Sequence, residues 1–277
     1  MKEIDKYTLF LSKTYRRKLF SKFLAAITDF KLVQPGDRIC VCISGGKDSM
    51  LMAKLWMMYN EYINSDLKIF YLVMNPGYNK VNLDMIKDNL KRLNIEAKIV
   101  DTDIFKVAYA QEKSPCYLCA KMRRGALYRI AKEEGCNKIS LGHHYDDVIE
   151  TTLMNMLNAG SFQTMLPKVH SDNYKGMELI RPMYYIREKV ILLFCEKMNL
   201  SFIRCACKFT EKTTTGEIKS QRKETKLLIA KLKKEMNEHV EENIFSAANN
   251  VVFEKILGYK DNQGHHSFLE IYDKEGK

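Results

Sequence analysis

The fold is decided by residues 38–50, which read RICVCISGGKDSM. The apolar run from Ile39 to Ile43 has the length and composition of a strand buried on both faces of a parallel sheet. A helical pattern begins at Met50, so the glycine-rich turn between them opens a helix. Backbone N–H groups and the positive end of the helix dipole then point to one place, which predicts a phosphate site.

The residues of this turn exclude two common kinds of phosphate-binding site. An ordinary P-loop needs a hydroxyl residue after its lysine, but here Asp48 follows Lys47. The Gly-x-Gly-x-x-Gly pattern of a Rossmann dinucleotide site is absent as well. Residues 44–49, SGGKDS, instead resemble the signature of the PP-loop ATP pyrophosphatases, which cleave ATP between its α and β phosphates and pass AMP to a substrate. The alternative is a plain strand-to-helix turn with two glycines.

Length and charge limit the classes of protein to which the chain can belong. With 277 residues, 46% of them hydrophobic, the chain can bury a core and is expected to form one α/β domain with an appendage or two small domains. No apolar run reaches the roughly 18 to 20 residues of a membrane span, so we expect a cytoplasmic protein without membrane partners. The net charge of +11 favours a nucleic-acid partner, with plain solubility as the alternative.

The order of strand and helix patterns predicts a doubly wound sheet. Strands are expected at residues 67–74, 97–100 and 137–142, each after a helical stretch, which is typical of a parallel, right-handed α/β sheet. Ligands of such sheets bind beyond the carboxyl ends of the strands. Met74 lies at such an end. Its side chain either lines an adenine pocket or packs in the core, and both interpretations stay open.

The chain has eight cysteines, and one pair is placed for metal binding. Cys116 and Cys119 stand three apart at a helix start, where the helix N-terminus helps to hold both as thiolates. Alone, this pair fits a zinc knuckle, a redox pair or half of an iron–sulfur site. The cysteines in apolar or helical runs are expected to be small buried hydrophobic residues; they are Cys40, Cys42, Cys136 and Cys195.

A second polar loop is predicted where the strand of residues 137–142 ends. It reads LGHHYDD, residues 141–147, and opens another helix. His143 is a candidate ligand-binding residue, with a structural helix cap as the alternative. The adjacent carboxylates of Asp146 and Asp147 suit magnesium on ATP, or capping of the helix.

The two ends of the chain are basic and helical in pattern. Three segments are expected: a basic amphipathic N-terminal helix (1–36), the nucleotide-binding domain (37–207), and a basic helical extension with a loose tail (208–277). The basic ends are interpreted either as solvated helix faces or as arms that contact RNA phosphates.

Four motifs in order make the chain similar to the tRNA 2-thiocytidine synthetase family, over about residues 10–255. They are SGGKDS, the cysteine pair followed by MRRGALY (122–128), LGHHYDD, and IRPMYYIREK (180–189). The resemblance implies adenylation of the C2 oxygen of cytidine 32 in the tRNA anticodon loop. Sulfur then replaces the activated oxygen and AMP is released. It also implies a sulfur donor such as a cysteine desulfurase, and a homodimer is possible.

The resemblance assigns roles to residues of this chain. ATP, with magnesium, would be bound by the turn residues and the second loop: Ser44, Gly45, Gly46, Ser49, Met74, Gly142, His143 and Asp147. Lys47 and Asp48 would be catalytic, together with three cysteines that hold a 4Fe-4S cluster and leave one iron for sulfur. Cys116 and Cys119 match the family's paired ligands. The family's third ligand lies in Pro-Cys-x-x-Cys, whereas this chain has Arg-Cys-Ala-Cys (204–207), and Cys205 is favoured.

Three alternatives stay open. A site of four thiolates, from Cys116, Cys119, Cys205 and Cys207, would bind zinc and carry no sulfur. A PP-loop enzyme acting on another base, or one resembling lysidine synthetase, would share the ATP chemistry, and the latter would need no cysteine cluster. A nucleotide-binding or RNA-binding module without catalysis is the third alternative.

Overall fold

The structure is a computed structural model that describes residues 5–63, 66–111, 115–203, 220–270 and 272. The chain divides into two compact units. One consists of Met1–Val148 and Met165–Lys223, and the other of Ile149–Thr164 and Glu224–Lys277.

The first unit is built on a six-stranded sheet in the order β3-β2-β1-β4-β6-β5. The strands are β1 (Arg38–Ile43), β2 (Lys68–Asn75), β3 (Lys98–Asp101), β4 (Lys138–Ser140), β5 (Lys168–His170) and β6 (Glu178–Ile180). Neighbours from β3 to β6 pair in parallel, and β5 pairs with β6 antiparallel. The predicted α/β doubly wound sheet is therefore confirmed, with an antiparallel edge strand that the sequence analysis missed.

Helices connect the strands. The helices are α1 (Lys6–Leu9), α2 (Phe20–Asp29), α3 (Lys47–Ile63), α4 (Lys80–Arg92), α5 (Ile104–Tyr109), α6 (Pro115–Glu133), α7 (Tyr145–Ala159), α8 (Glu188–Lys197), α9 (Gln221–Glu235) and α10 (Val240–Ala247). A π-helical segment, Phe10–Thr14, follows α1, and a short 3-10 helix spans Phe253–Lys255.

The central strand β1 is buried on both faces, as its apolar run predicts. Ile39, Val41 and Ile43 belong to a core shared with α2, α3 and α8, while Cys40 and Cys42 belong to a second core on the other face, with α6. Alternate side chains of a strand point to opposite faces, so a strand with apolar residues at every position needs cover on both sides. The helices on the two faces supply that cover.

Helix α3 is held against the sheet by packing and by one buried hydrogen bond. The turn from Met50 to Ala53 is apolar on all sides and completely buried. A helix that is apolar all round belongs in a protein interior. Trp56 Nε1 donates to Ser140 Oγ over 2.9 Å, and both side chains are inaccessible to solvent. The bond ties α3 to β4 and satisfies two polar groups that would otherwise be costly to bury.

The ends of the chain differ from the sequence-based expectation. The predicted N-terminal helix is interrupted between Thr14 and Phe20, and its apolar residues Leu11, Leu19 and Phe23 are fully buried in the core. In the second unit, strands β7 (Gly258–Asp261) and β8 (Gly264–Ser267) form an antiparallel hairpin that the sequence analysis did not predict. Their polar, exposed side chains conceal the strand pattern. No helix among the described residues is long and apolar enough to cross a membrane.

The strand order places the site. The chain runs from β1 outward to β2 and β3, then returns to β4 on the other side of β1. The loops after β1 and β4 therefore lead away from the sheet in opposite directions at one switch point, which is where open α/β sheets bind their ligands.

Candidate active site

The loop after β1 has a conformation that requires glycine. Gly45 has a φ of +82°, and a Cβ atom there would lie 2.6 Å from side-chain atoms of Ile86. Gly46 has open space beside it, with its nearest neighbour, Ser44 Oγ, at 3.7 Å. The first glycine therefore shapes the turn, because both its φ and its surroundings exclude a side chain.

Hydrogen bonds hold the loop from two sides. Ser49 Oγ accepts from the N–H of Ser44 over 3.1 Å and donates to the carbonyl of Gly46 over 3.0 Å. The hydroxyl of Tyr78, in the loop after β2, donates to the carbonyl of Ser44 over 3.0 Å. Helix α3 begins at Lys47, so its first N–H groups, which have no partner within the helix, face the ligand side of this turn.

Lys47 is held between two carboxylates. Its ammonium lies 3.1 Å from Asp48 Oδ2 and 3.1 Å from Glu188 Oε1. Although burial opposes it, the charges of Asp48 and Glu188 raise the pKa of Lys47. Lys47 is therefore a fixed positive charge at the start of α3, as the chemistry of phosphate binding needs.

Asp48 carries a buried oxygen without a hydrogen bond. Among the described residues, Asp48 Oδ1 is the one buried side-chain oxygen or nitrogen for which no hydrogen bond is found. Its neighbour is His144 Nε2, at 3.7 Å. Burial raises the pKa of Asp48, although the charges of Lys47 and His144 lower it. Unsatisfied buried polar atoms are rare and mark functional positions, so Asp48 is a candidate to contact a ligand.

The loop after β4 lies directly against the first turn of α3. A Cβ atom at Gly142 would be 3.1 Å from the backbone carbonyl carbon of Asp48 and 3.1 Å from the nitrogen of Ser49. Gly142 was predicted to contact ATP, and the structure gives it a second role, since any side chain there would press on the backbone of the other loop.

His144 and Asp147 cap helix α7 reciprocally. The Asp147 carboxylate accepts from the N–H of His144 over 2.9 Å, and His144 Nδ1 accepts from the N–H of Asp147 over 3.4 Å. This is the arrangement of a capping box, with histidine in place of serine or threonine. Because Nδ1 accepts, the proton of a neutral His144 lies on Nε2, which faces Asp48.

The two carboxylates predicted to bind magnesium are engaged by protein groups. Asp146 accepts from Arg187 Nη2 over 3.1 Å and from the N–H of Glu188 over 2.6 Å, and so caps α8. Asp147 pairs with Arg222 in addition to its bond with His144. The capping interpretation therefore describes the contacts of both residues. They do not offer a magnesium site in this conformation, and the magnesium assignment stays a prediction.

His143 is neutral and held by an arginine. Arg181 Nε donates to His143 Nδ1 over 3.3 Å. Burial and the charge of Arg181 lower the pKa of His143 to about 4. At neutral pH its Nε2 therefore carries the proton and is a donor, which suits contact with a phosphate or ribose oxygen.

Met74 lies near the end of β2 and is 4% exposed. Its burial agrees with the core interpretation, and contact with adenine stays a prediction. The next residue, Asn75, organises the loop instead. Its Oδ1 accepts from the N–H groups of Gly77 and Tyr78, which places the Tyr78 hydroxyl on the carbonyl of Ser44.

The cysteine pair begins α6. Cys116 is exposed and Cys119 is half-buried, and neither forms a disulfide within the described residues. Spaced by three, both lie on one side of the first turn, which contains no acidic residue. Accessible thiols at a helix N-terminus fit the ligands of a metal or cluster. Cys205 and Cys207 lie outside the described residues, and among those described no group of three metal ligands is found.

Sequence reasoning missed two residues that the fold brings to the site. Glu188 stands in the motif of residues 180–189 but was given no role, and His144 was not singled out. Lys47 and Glu188 are separated by 141 positions in the sequence, so no local pattern links them. One signal was present: both residues open helices after strands of the same parallel sheet, whose carboxyl ends share an edge.

A glycine-rich turn and a helix N-terminus at the switch point of a parallel sheet define a nucleotide-binding α/β protein. The PP-loop domain family matches residues 15–212. A tRNA-cytidine(32) 2-sulfurtransferase of Ralstonia nicotianae is 34% identical over 241 residues, covering 85% of this chain and 74% of its own. One of Geobacter metallireducens is 32% identical over 245 residues, covering 87% and 93%.

Among solved structures, the U34-tRNA thiolase NcsA from Methanococcus maripaludis with its [4Fe-4S] cluster is similar in fold. The TM-score is 0.65 at 23% identity, over 83% of this chain and 76% of NcsA. The chain belongs to the PP-loop domain family and, within it, to the tRNA-cytidine(32) 2-sulfurtransferase family. The family resemblance inferred from the motifs is thereby confirmed.

Proposed function

We propose that this protein uses ATP to convert cytidine 32 of tRNA into 2-thiocytidine. The C2 oxygen of the cytidine attacks the α-phosphorus of ATP, and pyrophosphate leaves. Sulfur then bonds to C2, and the C2–oxygen bond breaks, so that the oxygen departs on AMP. The observation that carries the proposal is the contact between the SGGKDS and LGHHYDD loops, which joins two family motifs at one site.

The ATP end of the site is supplied by the first of these loops. Ser44, Gly45, Gly46 and Ser49 hold the departing pyrophosphate through N–H and hydroxyl groups, assisted by the dipole of α3. Lys47 offsets the charge that develops on the phosphates, because its ammonium is fixed at the start of the same helix. Fixed donors and charges of this kind lower the barrier without reorganising during the reaction.

The residues present fit two ligands of a 4Fe-4S cluster. Cys116 and Cys119 would hold it, with Cys205 as the proposed third ligand. A cluster on three thiolates supplies an iron with an open position for a sulfur atom. The protein's own contribution is to present both thiols on one side of the first turn of α6.

Arginines next to the cysteine pair are proposed to bind the anticodon loop. Arg123 and Arg124 follow the pair by about one turn of α6, and Arg124 is exposed. Arg129 pairs with Glu133 over 2.9 Å, which reduces its contribution to RNA binding. Cytidine 32 has to be unstacked to reach the site, and phosphate contacts offset that cost.

The sulfur donor, the location, the oligomeric state and the roles of the three segments are part of the same proposal. The sulfur donor is a persulfide-forming enzyme such as a cysteine desulfurase, and a thiol reductant cleaves the persulfide so that its outer sulfur arrives at the sulfide level. The protein acts in the cytoplasm and forms a homodimer. The segments 1–36, 37–207 and 208–277 serve as a basic arm, the ATP-dependent domain and a basic extension that binds the tRNA stem.

Product analysis tests the proposal. Under anaerobic conditions, purified protein with its cluster, ATP, sulfide and unmodified tRNA should release AMP and pyrophosphate in equal amounts, and only when tRNA with a cytidine at position 32 is present. A tRNA with uridine at that position is the matched control. Release of ADP and phosphate, or AMP formation with both tRNAs alike, would contradict the proposal.

A further inference from the structure

Glu188 places a second carboxylate beside the PP-loop lysine. The ammonium of Lys47 has three protons to donate. Asp48 Oδ2 and Glu188 Oε1 each lie 3.1 Å from it, and the described residues offer it no third acceptor. One proton is therefore left for a ligand, and the two carboxylates determine its direction.

The charge of Glu188 is not needed to neutralise Lys47. Asp48 already does so, and a further negative charge near the phosphates of ATP opposes their binding. With a side chain only 18% exposed, Glu188 is also partly removed from water, which costs free energy. Affinity for ATP therefore gives no reason for a carboxylate here, whereas orientation of Lys47 does.

The backbone of Glu188 is anchored without its side chain. Its N–H donates to Asp146 Oδ2 over 2.6 Å, and the carbonyl of Ile186 accepts from the N–H of Tyr145 over 3.0 Å. Arg187 pairs with Asp146, and its guanidinium lies 4.8 Å from the ring centroid of Tyr145. The start of α8 is thus fastened to the start of α7, and the Glu188 carboxylate is presented to Lys47 from a rigid support.

We propose that Glu188 is a positioning residue for the ATP-dependent step, which orients the Lys47 ammonium through a hydrogen bond from the start of α8. The inference rests on the proposed function and adds a residue to it. It requires an acceptor oxygen at this place and does not require the negative charge.

Two substitutions separate the hydrogen bond from the charge. Glu188→Ala removes both, whereas Glu188→Gln keeps an acceptor oxygen. With Ala, kcat for AMP formation should fall about 10- to 100-fold, the loss expected when a reacting group is misplaced by about 1 Å. With Gln, kcat should return to within about threefold of wild type, and KM for ATP should stay equal or fall, because a charge facing the phosphates has gone.

Glu178→Ala is the matched control. Glu178 is also a half-buried carboxylate paired with a lysine, Lys138, but it lies at the beginning of β6, whereas the site lies beyond the carboxyl ends of the strands. Its loss should lower the melting temperature and leave kcat unchanged. A structural role for Glu188 would give this same result for Glu188→Ala.

The outcomes distinguish failure of the Glu188 inference from failure of the proposed function. If wild type forms AMP and Glu188→Ala keeps kcat within about twofold, or if Glu188→Gln is as slow as Glu188→Ala, the inference is overturned alone. If wild type forms no AMP from ATP, sulfide and tRNA, the proposed function is overturned and the inference with it.

Discussion

Gly142 lies against Asp48: a Cβ atom at the glycine would be 3.1 Å from the carbonyl carbon of the aspartate. Backbone cannot move away as the end of a long side chain can, so this contact fixes the distance between the loops after β1 and β4. The two motifs that bear the proposed chemistry are thereby joined at a single point.

Substitution of Gly142 tests this contact. Gly142→Ala should displace the first turn of α3 by a few tenths of an ångström and reduce AMP formation by about 10-fold, less than the cost of a full 1 Å misplacement. Gly125→Ala is the control, because a Cβ atom at this helical position has no neighbour within 4 Å. It should keep activity and raise the free energy of unfolding by up to about 1 kcal/mol. Full activity of Gly142→Ala would show that the contact does not matter.

Asp48 is expected to serve activity rather than stability. Asp48→Asn keeps the shape of the side chain and removes a carboxylate whose pKa is raised by burial. The free energy of unfolding should change by less than about 1 kcal/mol, since the cost of burying the charged carboxylate offsets its ion pair with Lys47. AMP formation should be lost. Chemical denaturation and product analysis on the same preparation check both statements, and an active, destabilised variant would refute them.

The neutral state of His143 predicts an acid dependence of stability. Its pKa is about 4 in the folded protein, against an ordinary value of 6.5. Between these values the unfolded chain binds a proton that the folded chain does not, so stability falls as the pH drops from 6.5 to 4.

His143→Gln should lose this part of the dependence. Between pH 7 and 4.5, the unfolding free energy of wild type should fall by roughly 2 kcal/mol more than that of the variant. Urea denaturation at both pH values measures this. Identical pH profiles for the two proteins would mean that the pKa of His143 is the same in the folded and unfolded states, which would contradict the prediction.

The cysteine pair predicts the metal content. Anaerobically purified protein should be brown, and Cys116→Ala or Cys119→Ala should lose iron and activity together. Cys205→Ala should do the same and Cys207→Ala much less. Cys195→Ala is the control, because burial raises the pKa of this thiol to about 11 and it packs in the core. Colourless anaerobic protein with one zinc per chain would support the site of four thiolates instead.

Local patterns explain which parts of the site could be predicted. The strand before Ser44 and the helix after it follow from five apolar residues, two glycines and a periodic run, all of them local. The ion pair of Lys47 with Glu188 and the approach of Gly142 to Asp48 depend on which strands become neighbours, and periodicity carries no information about that. Antiparallel β5 was missed because its three residues are all exposed and have no alternating apolar pattern.

The central claim is that the chain thiolates cytidine 32 of tRNA, and nucleoside analysis of tRNA tests it most directly. Total tRNA from cells that contain the protein should yield 2-thiocytidine on digestion. Cells without it, or cells that express only Asp48→Asn, should yield unmodified cytidine at position 32. Equal amounts of 2-thiocytidine in the presence and absence of the protein, or loss of a different thiolated nucleoside, would contradict the account.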